Sequence, residues 1–231
     1  MADGRQKAHA CLMIIAWMIF VPIAIIVARY MRFLFKSRHL CGTSVWLAVH
    51  RTLMILVPIF SIAGFLVILA NLDWKWVSPS RTLSFIHSVF GIAAIALSLF
   101  QVLIAYLRPR YSPSARTVYN IVHRCVGILS LALATIAIFL GVFISDMRLG
   151  RAGWSTMIGY VVYLLVIPVP FELIYYFFQI RRAGGTERTN NRWYEILSHI
   201  FFNIHVSLIL NFGITLIVLI IAGIETFGFT V

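Results

Sequence analysis

Four of the seven histidines fall where imidazoles could work together. His9, His50, His87 and His123 are separated by 41, 37 and 36 residues, and each lies near the start of a long apolar run. Their surroundings repeat. His9 and His50 each open an H-x-x-L-M (Leu12-Met13, Leu53-Met54), and His87 and His123 each open an H-x-x-x-G (Gly91, Gly127). A residue four places on lies on the same helix face, and glycine there lets a flat, bulky ligand approach the backbone. Two neutral imidazoles facing one another suit the axial positions of a six-coordinate b-type haem. A lone histidine in a membrane is more commonly a hydrogen-bonded packing residue. Four of them, one per run and within repeated patterns, favour the ligand reading. A metal other than haem iron needs three or four ligands converging at one point, which this spacing does not supply.

The elements that must position these histidines follow from composition. Of 231 residues, 61% are hydrophobic and only 11% are charged, against about 45–50% and about 25% in soluble domains. The mean hydropathy is +0.96. Soluble enzymes, disordered chains and coiled coils are excluded, and an all-α integral membrane protein is expected. Six apolar runs, near 8–30, 46–71, 84–107, 119–145, 156–178 and 199–224, are each long enough to cross the hydrocarbon as a helix. They do not alternate as barrel strands would. The first run is too long for the apolar core of a signal peptide and has no small-residue cleavage site after it. Cys11, Cys41 and Cys125 form no CxxC or CxxCH, so haem would be held by coordination alone.

The net charge of +12 sits at the ends of the apolar runs rather than in an aromatic-interleaved basic patch, so no nucleic acid is expected as a partner. The first, third and fifth connections carry 13 Lys and Arg, and the opposite side carries 6. By the positive-inside rule those connections are cytosolic and both termini are not. Helices 1 and 3 then run one way and helices 2 and 4 the other. His9 pairs with His87 near the outer surface, and His50 with His123 near the inner one. Two haem b groups would form an electron path across the bilayer, in a four-helix dihaem core with two flanking helices. The expected division is a tail at 1–8, the core at 9–145 and the flanking helices at 146–231. His39 reads as surface, and His199 and His205 as minor candidates for an inner ligand.

Arg51 and Arg124 each follow an inner histidine. They would pair a haem propionate or hold an anionic donor, and anchoring to phosphate of membrane lipid is the competing reading. Lys36, Arg38 and Arg116 would extend a basic funnel at that face. Lys7, Lys75 and Arg81, with Trp74 and Trp76, would line an outer mouth; the tryptophans equally suit an interfacial belt. Glu172 lies well inside the fifth run and should be protonated or paired.

At these residues the chain resembles the cytochrome b561 superfamily over roughly residues 7–182. The segments Lys7–His9, Val49–Arg51 and Asn120–His123 are similar to its ferric-chelate-reductase branch, whose extracellular DOMON domain has no counterpart in these residues. Ala24–Arg29 resembles the family's ALLVYR segment, and His87-Ser88-x-x-Gly91 its S-L-H-S-W-x-G segment. Ala28 and Val89 stand where those segments have tyrosine and an aromatic residue. The resemblance implies an ascorbate-dependent oxidoreductase, with ascorbate as cytosolic donor and ferric chelate or monodehydroascorbate as acceptor. It also implies a homodimer in the plasma membrane or an endomembrane, with Arg29 and Ser88 among the substrate-binding residues. The alternatives are a dihaem membrane subunit of a quinone-linked complex and a non-enzymatic channel or receptor with packed histidines.

Overall fold

The computed structural model describes residues 2–32, 39–40, 42–109, 112–144, 147, 149–183 and 192–223. Six helices are long and apolar enough to span a membrane: α1 (Gly4–Tyr30), α2 (Val45–Asn71), α3 (Thr82–Tyr106), α4 (Pro113–Val142), α5 (Gly150–Ile180) and α6 (Trp193–Ala222). A two-residue-per-strand antiparallel hairpin, β1 (His39–Leu40) and β2 (Thr43–Ser44), precedes α2 with His39 opposite Ser44. The expected boundary at 145/146 lies outside the described residues.

The helices begin earlier than their apolar runs. In α4 the Ser112 side chain accepts from the Ala115 N–H at 3.3 Å, and Pro113 occupies the first turn. That turn costs no ladder hydrogen bond, because the first N–H groups of a helix have no partner anyway. The polar first turns of α4, α5 and α6 are thus helical although hydropathy alone excludes them from the spans. A capping box starts α1: the Gln6 N–H donates to Asp3 at 2.8 Å and the Asp3 N–H to the Gln6 side chain at 2.9 Å.

Two helices are irregular. The middle of α1, Ile14–Phe20, winds as a π-helix just before Pro22, which brings no N–H to the ladder. In α5 the ladder is interrupted at Ile167, between Gly150–Val166 and Pro168–Ala183, for the same reason at Pro168.

Helix α1 pairs with α2 and α3 with α4, while α6 packs on α1 and α5 against α4 and α6. At mid-depth of the first four helices Ala16, Trp17 and Val21 of α1 meet Val57 of α2, Ala94 of α3 and Ala134 of α4. A second cluster joins Ile14, Met18 and Ile19 of α1 to Met157 and Tyr160 of α5 and to Ile209 and Leu216 of α6. Helix α1 is therefore covered on both flanks. The other helices leave apolar side chains such as Ile59, Leu103, Leu165 and Ile221 exposed, as surfaces turned to lipid are.

Candidate functional site

Each of the four histidines stands on a different helix, and the fold brings them together two by two. His9 of α1 and His87 of α3 have ring centres 6.1 Å apart, with the planes at 69°. His50 of α2 and His123 of α4 have ring centres 6.3 Å apart, at 72°. Gly64, whose carbonyl touches His9, is fourteen residues after His50 on α2, and Ala137, which touches His87, is fourteen after His123 on α4. At 1.5 Å per residue the two pairs are about 21 Å apart along the helices.

Three of the rings are tied to a neighbouring backbone through Nδ1. His9 donates to the Gly64 carbonyl at 2.9 Å, His50 to the Ala24 carbonyl at 3.0 Å, and His87 to the Ala137 carbonyl at 2.7 Å. A carbonyl oxygen only accepts, so the bonded nitrogen carries the proton and Nε2 keeps a free lone pair. This is the tautomer a metal ligand needs, and such hydrogen bonds fix the ring direction. Two imidazoles sharing one ion, each nitrogen about 2.0–2.1 Å from it, have ring centres roughly 6.4 Å apart. Both observed separations fit.

An open apolar groove runs between α2 and α3 on the outward face, lined by Ile55, Ile59, Leu99, Val102 and Leu103 among others. A Cβ on Gly91 would meet nothing within 4 Å, so the space one turn beyond His87 is open. At Gly127 the space is taken, since a Cβ there would lie 3.1 Å from Nε2 of Gln101. Two glycines outside the histidine motifs matter more. A Cβ on Gly141 would come within 3.2 Å of the His87 ring, and one on Gly64 within 3.1 Å of Met13 and 3.3 Å of Leu12. Among the described residues no group of three or more His, Cys, Asp or Glu gathers as for a free metal ion. Paired histidines remain the donor set, and they fit haem.

The charged candidates divide. Arg51, Arg116 and Arg124 are exposed at the His50–His123 end, and Lys75 and Arg81 at the His9–His87 end. Three others are engaged inside the fold. Lys7 donates to the Ile221 carbonyl at the C-terminus of α6, at 2.9 Å, where a cation also meets the negative end of the helix dipole. The Ser88 hydroxyl donates to the Phe85 carbonyl of its own helix at 2.7 Å. Arg29 forms an ion pair with Glu172, with Nε 2.6 Å from the carboxylate, and the Tyr30 hydroxyl donates to the same oxygen at 2.7 Å. Glu172 is thus paired. Lys36 and Arg38 lie outside the described residues.

His39 is exposed. His205 is 1% exposed, with Nδ1 at 2.5 Å from the Tyr163 hydroxyl and its ring packed by Tyr163 and Phe171. Tyr119, one turn before His123, stacks on its ring at 5.6 Å and 9°. Its spacing of four residues was the available signal. Gln101 donates to the His123 backbone carbonyl at 2.6 Å; nothing in the sequence marks that contact.

The family model described as eukaryotic cytochrome b561 matches residues 8–148, which contain all four histidines. The chain is 29% identical over 170 residues to ferric-chelate reductase 1 of Bos taurus, covering 72% of this chain and 27% of the relative. The same protein of Homo sapiens is 29% identical over 170 residues, covering 72% and 28%. A cytochrome b561 and DOMON domain-containing protein of Arabidopsis thaliana is 26% identical over 185 residues, covering 80% and 43%. The chain therefore spans about a quarter of the length of the ferric-chelate reductases it matches. No solved structure matches it significantly.

Proposed function

The chain belongs to the eukaryotic cytochrome b561 family, and on that premise we propose that it moves electrons across a membrane between two haem b groups. His9 and His87 hold one, and His50 and His123 the other. The observation that carries this reading is the pair of ring separations, 6.1 and 6.3 Å, at opposite ends of one four-helix core. Bound haem supplies reversible one-electron chemistry at its iron.

The chain's own residues supply position and insulation. Backbone carbonyls hold three imidazoles through Nδ1, which leaves their Nε2 lone pairs for a ligand role. The apolar layer of Ala16, Trp17, Val57, Ala94 and Ala134 separates the pairs and keeps water from the interval between them. The excess of Lys and Arg on three connections supports a cytosolic position for the His50–His123 end. There Arg51 and Arg124 would attract an anionic donor such as ascorbate, and at the other end Lys75 and Arg81 would meet a ferric chelate. The names of the mammalian relatives support that acceptor. Arg29, Lys7 and Ser88 already have partners within the fold, so they are weaker contributors to either mouth.

The test is reconstitution in sealed vesicles with ascorbate inside and ferric citrate outside. Ferrous iron should appear outside in proportion to haem-loaded protein. Reduction of haem without any external ferrous iron would contradict the crossing of electrons from face to face.

A further inference from the structure

The two helix pairs of the core repeat one another in register, with one exception. On α2 the acceptor for His9 stands fourteen residues after His50, and on α1 the acceptor for His50 stands fifteen after His9. On α4 the acceptor for His87 stands fourteen after His123. The fourth place, fourteen residues after His87 on α3, is Gln101. His123 Nδ1 is buried and has no partner, and the same is true of Gln101 Oε1. The other end of that amide, Nε2, rests on the His123 backbone carbonyl at 2.6 Å. One donor and one acceptor are thus orphaned on two residues already in contact, and a buried pair of that kind is costly unless satisfied.

We infer that Gln101 is the positioning residue of His123: its side-chain carbonyl takes the Nδ1 proton that a backbone carbonyl takes from each of the other three histidines. This rests on the dihaem reading above. A modest turn of the amide that keeps Nε2 on the His123 carbonyl would bring Oε1 to Nδ1 and join the two orphans. Gly127 leaves the space for it, since a Cβ there would lie 3.1 Å from Nε2. The consequence is chemical. An accepting partner on Nδ1 makes the imidazole a stronger ligand and favours ferric iron. A backbone carbonyl cannot be changed by substitution, whereas a side chain can. The potential at the His50–His123 site is therefore adjustable through residue 101, as no Nδ1 partner of the other three histidines is.

The test uses full-length protein carrying Gln101→Leu, Gln101→Glu or Gly127→Ala. Redox titration and the low-spin electron paramagnetic resonance spectrum are read for each haem component. Gln101→Leu should raise the midpoint potential of one component and move its g values, leave the other component where it is, and weaken haem retention at the affected site about 10–100-fold. Gln101→Glu, a stronger acceptor, should move the same component to lower potential. Gly127→Ala, which crowds the amide without removing it, should act in the direction of Gln101→Leu and serves if that variant does not accumulate. Loss of thermal stability with both potentials unmoved would mean that Gln101 only braces the helices, and would overturn the inference. Equal movement of both components would overturn it too. In either case the two wild-type signals would stand, and with them the dihaem reading. A wild-type protein without low-spin haem signals would remove both.

Discussion

The two histidine pairs differ less in geometry than in how they are held. Their ring separations, 6.1 and 6.3 Å, and interplanar angles, 69° and 72°, nearly coincide. At the His9–His87 end both rings are fixed by backbone carbonyls, and glycines at 64 and 141 let the helices come close enough to do it. At the His50–His123 end only His50 is fixed that way; His123 has a tyrosine stacked on it and a glutamine amide beside it. One site is built by close helix contact and the other partly by side chains. The first should be sensitive to volume and the second to side-chain chemistry.

The largest effect should come from the ligands themselves. His87→Ala is expected to remove about half of the bound haem and leave the spectral component of the His50–His123 pair intact. His123→Ala should do the converse. Haem content per chain and difference spectra measure both, on variants that reach the membrane at normal yield.

Volume comes next. Gly141→Val adds atoms where even a Cβ would stand 3.2 Å from the His87 ring, and overpacking of this kind costs about 1–3 kcal/mol. The His9–His87 component should weaken or shift while the other is unchanged. Equal damage to both components would mean that the sites are not separately built.

A smaller effect is expected between the sites. The buried Trp17 donates from Nε1 to the Ser61 hydroxyl at 3.0 Å, a bond worth on the order of 1 kcal/mol. Trp17→Phe should lower the midpoint of thermal unfolding slightly and preserve the haem count. The smallest effect on the haem sites belongs to Glu172, which pairs with Arg29 inside the α5 span. Glu172→Gln leaves Arg29 without its counter-charge there, so it should lower the midpoint of thermal unfolding while both haem components stay unchanged; loss of either component would contradict this.

These contrasts also explain what could be read from the sequence. The six helices and the pairing of His9 with His87 and His50 with His123 were legible, because alternate helices in a membrane run the same way and long apolar runs mark them. Helix starts at Pro113, Gly150 and Trp193 were not, because hydropathy marks the lipid-facing stretch and polar first turns extend beyond it. Lys7 reads as a mouth residue from its type and depth, and Arg29 from its place in the segment resembling ALLVYR; neither signal shows the contacts they make. Their partners, the Ile221 carbonyl and Glu172, lie 214 and 143 residues away. The roles of Gly141 and Gln101 depend on which helix lies opposite, and a single sequence carries no mark of that.

The most direct measurement is haem quantification by pyridine haemochrome on purified, haem-replete protein, repeated for single alanine variants of the four histidines. Two haem b per chain are expected, with His9→Ala and His87→Ala removing one spectral component and His50→Ala and His123→Ala removing the other. A colourless protein, a single haem per chain, or loss of one component shared by His9→Ala and His50→Ala would contradict the two-site core.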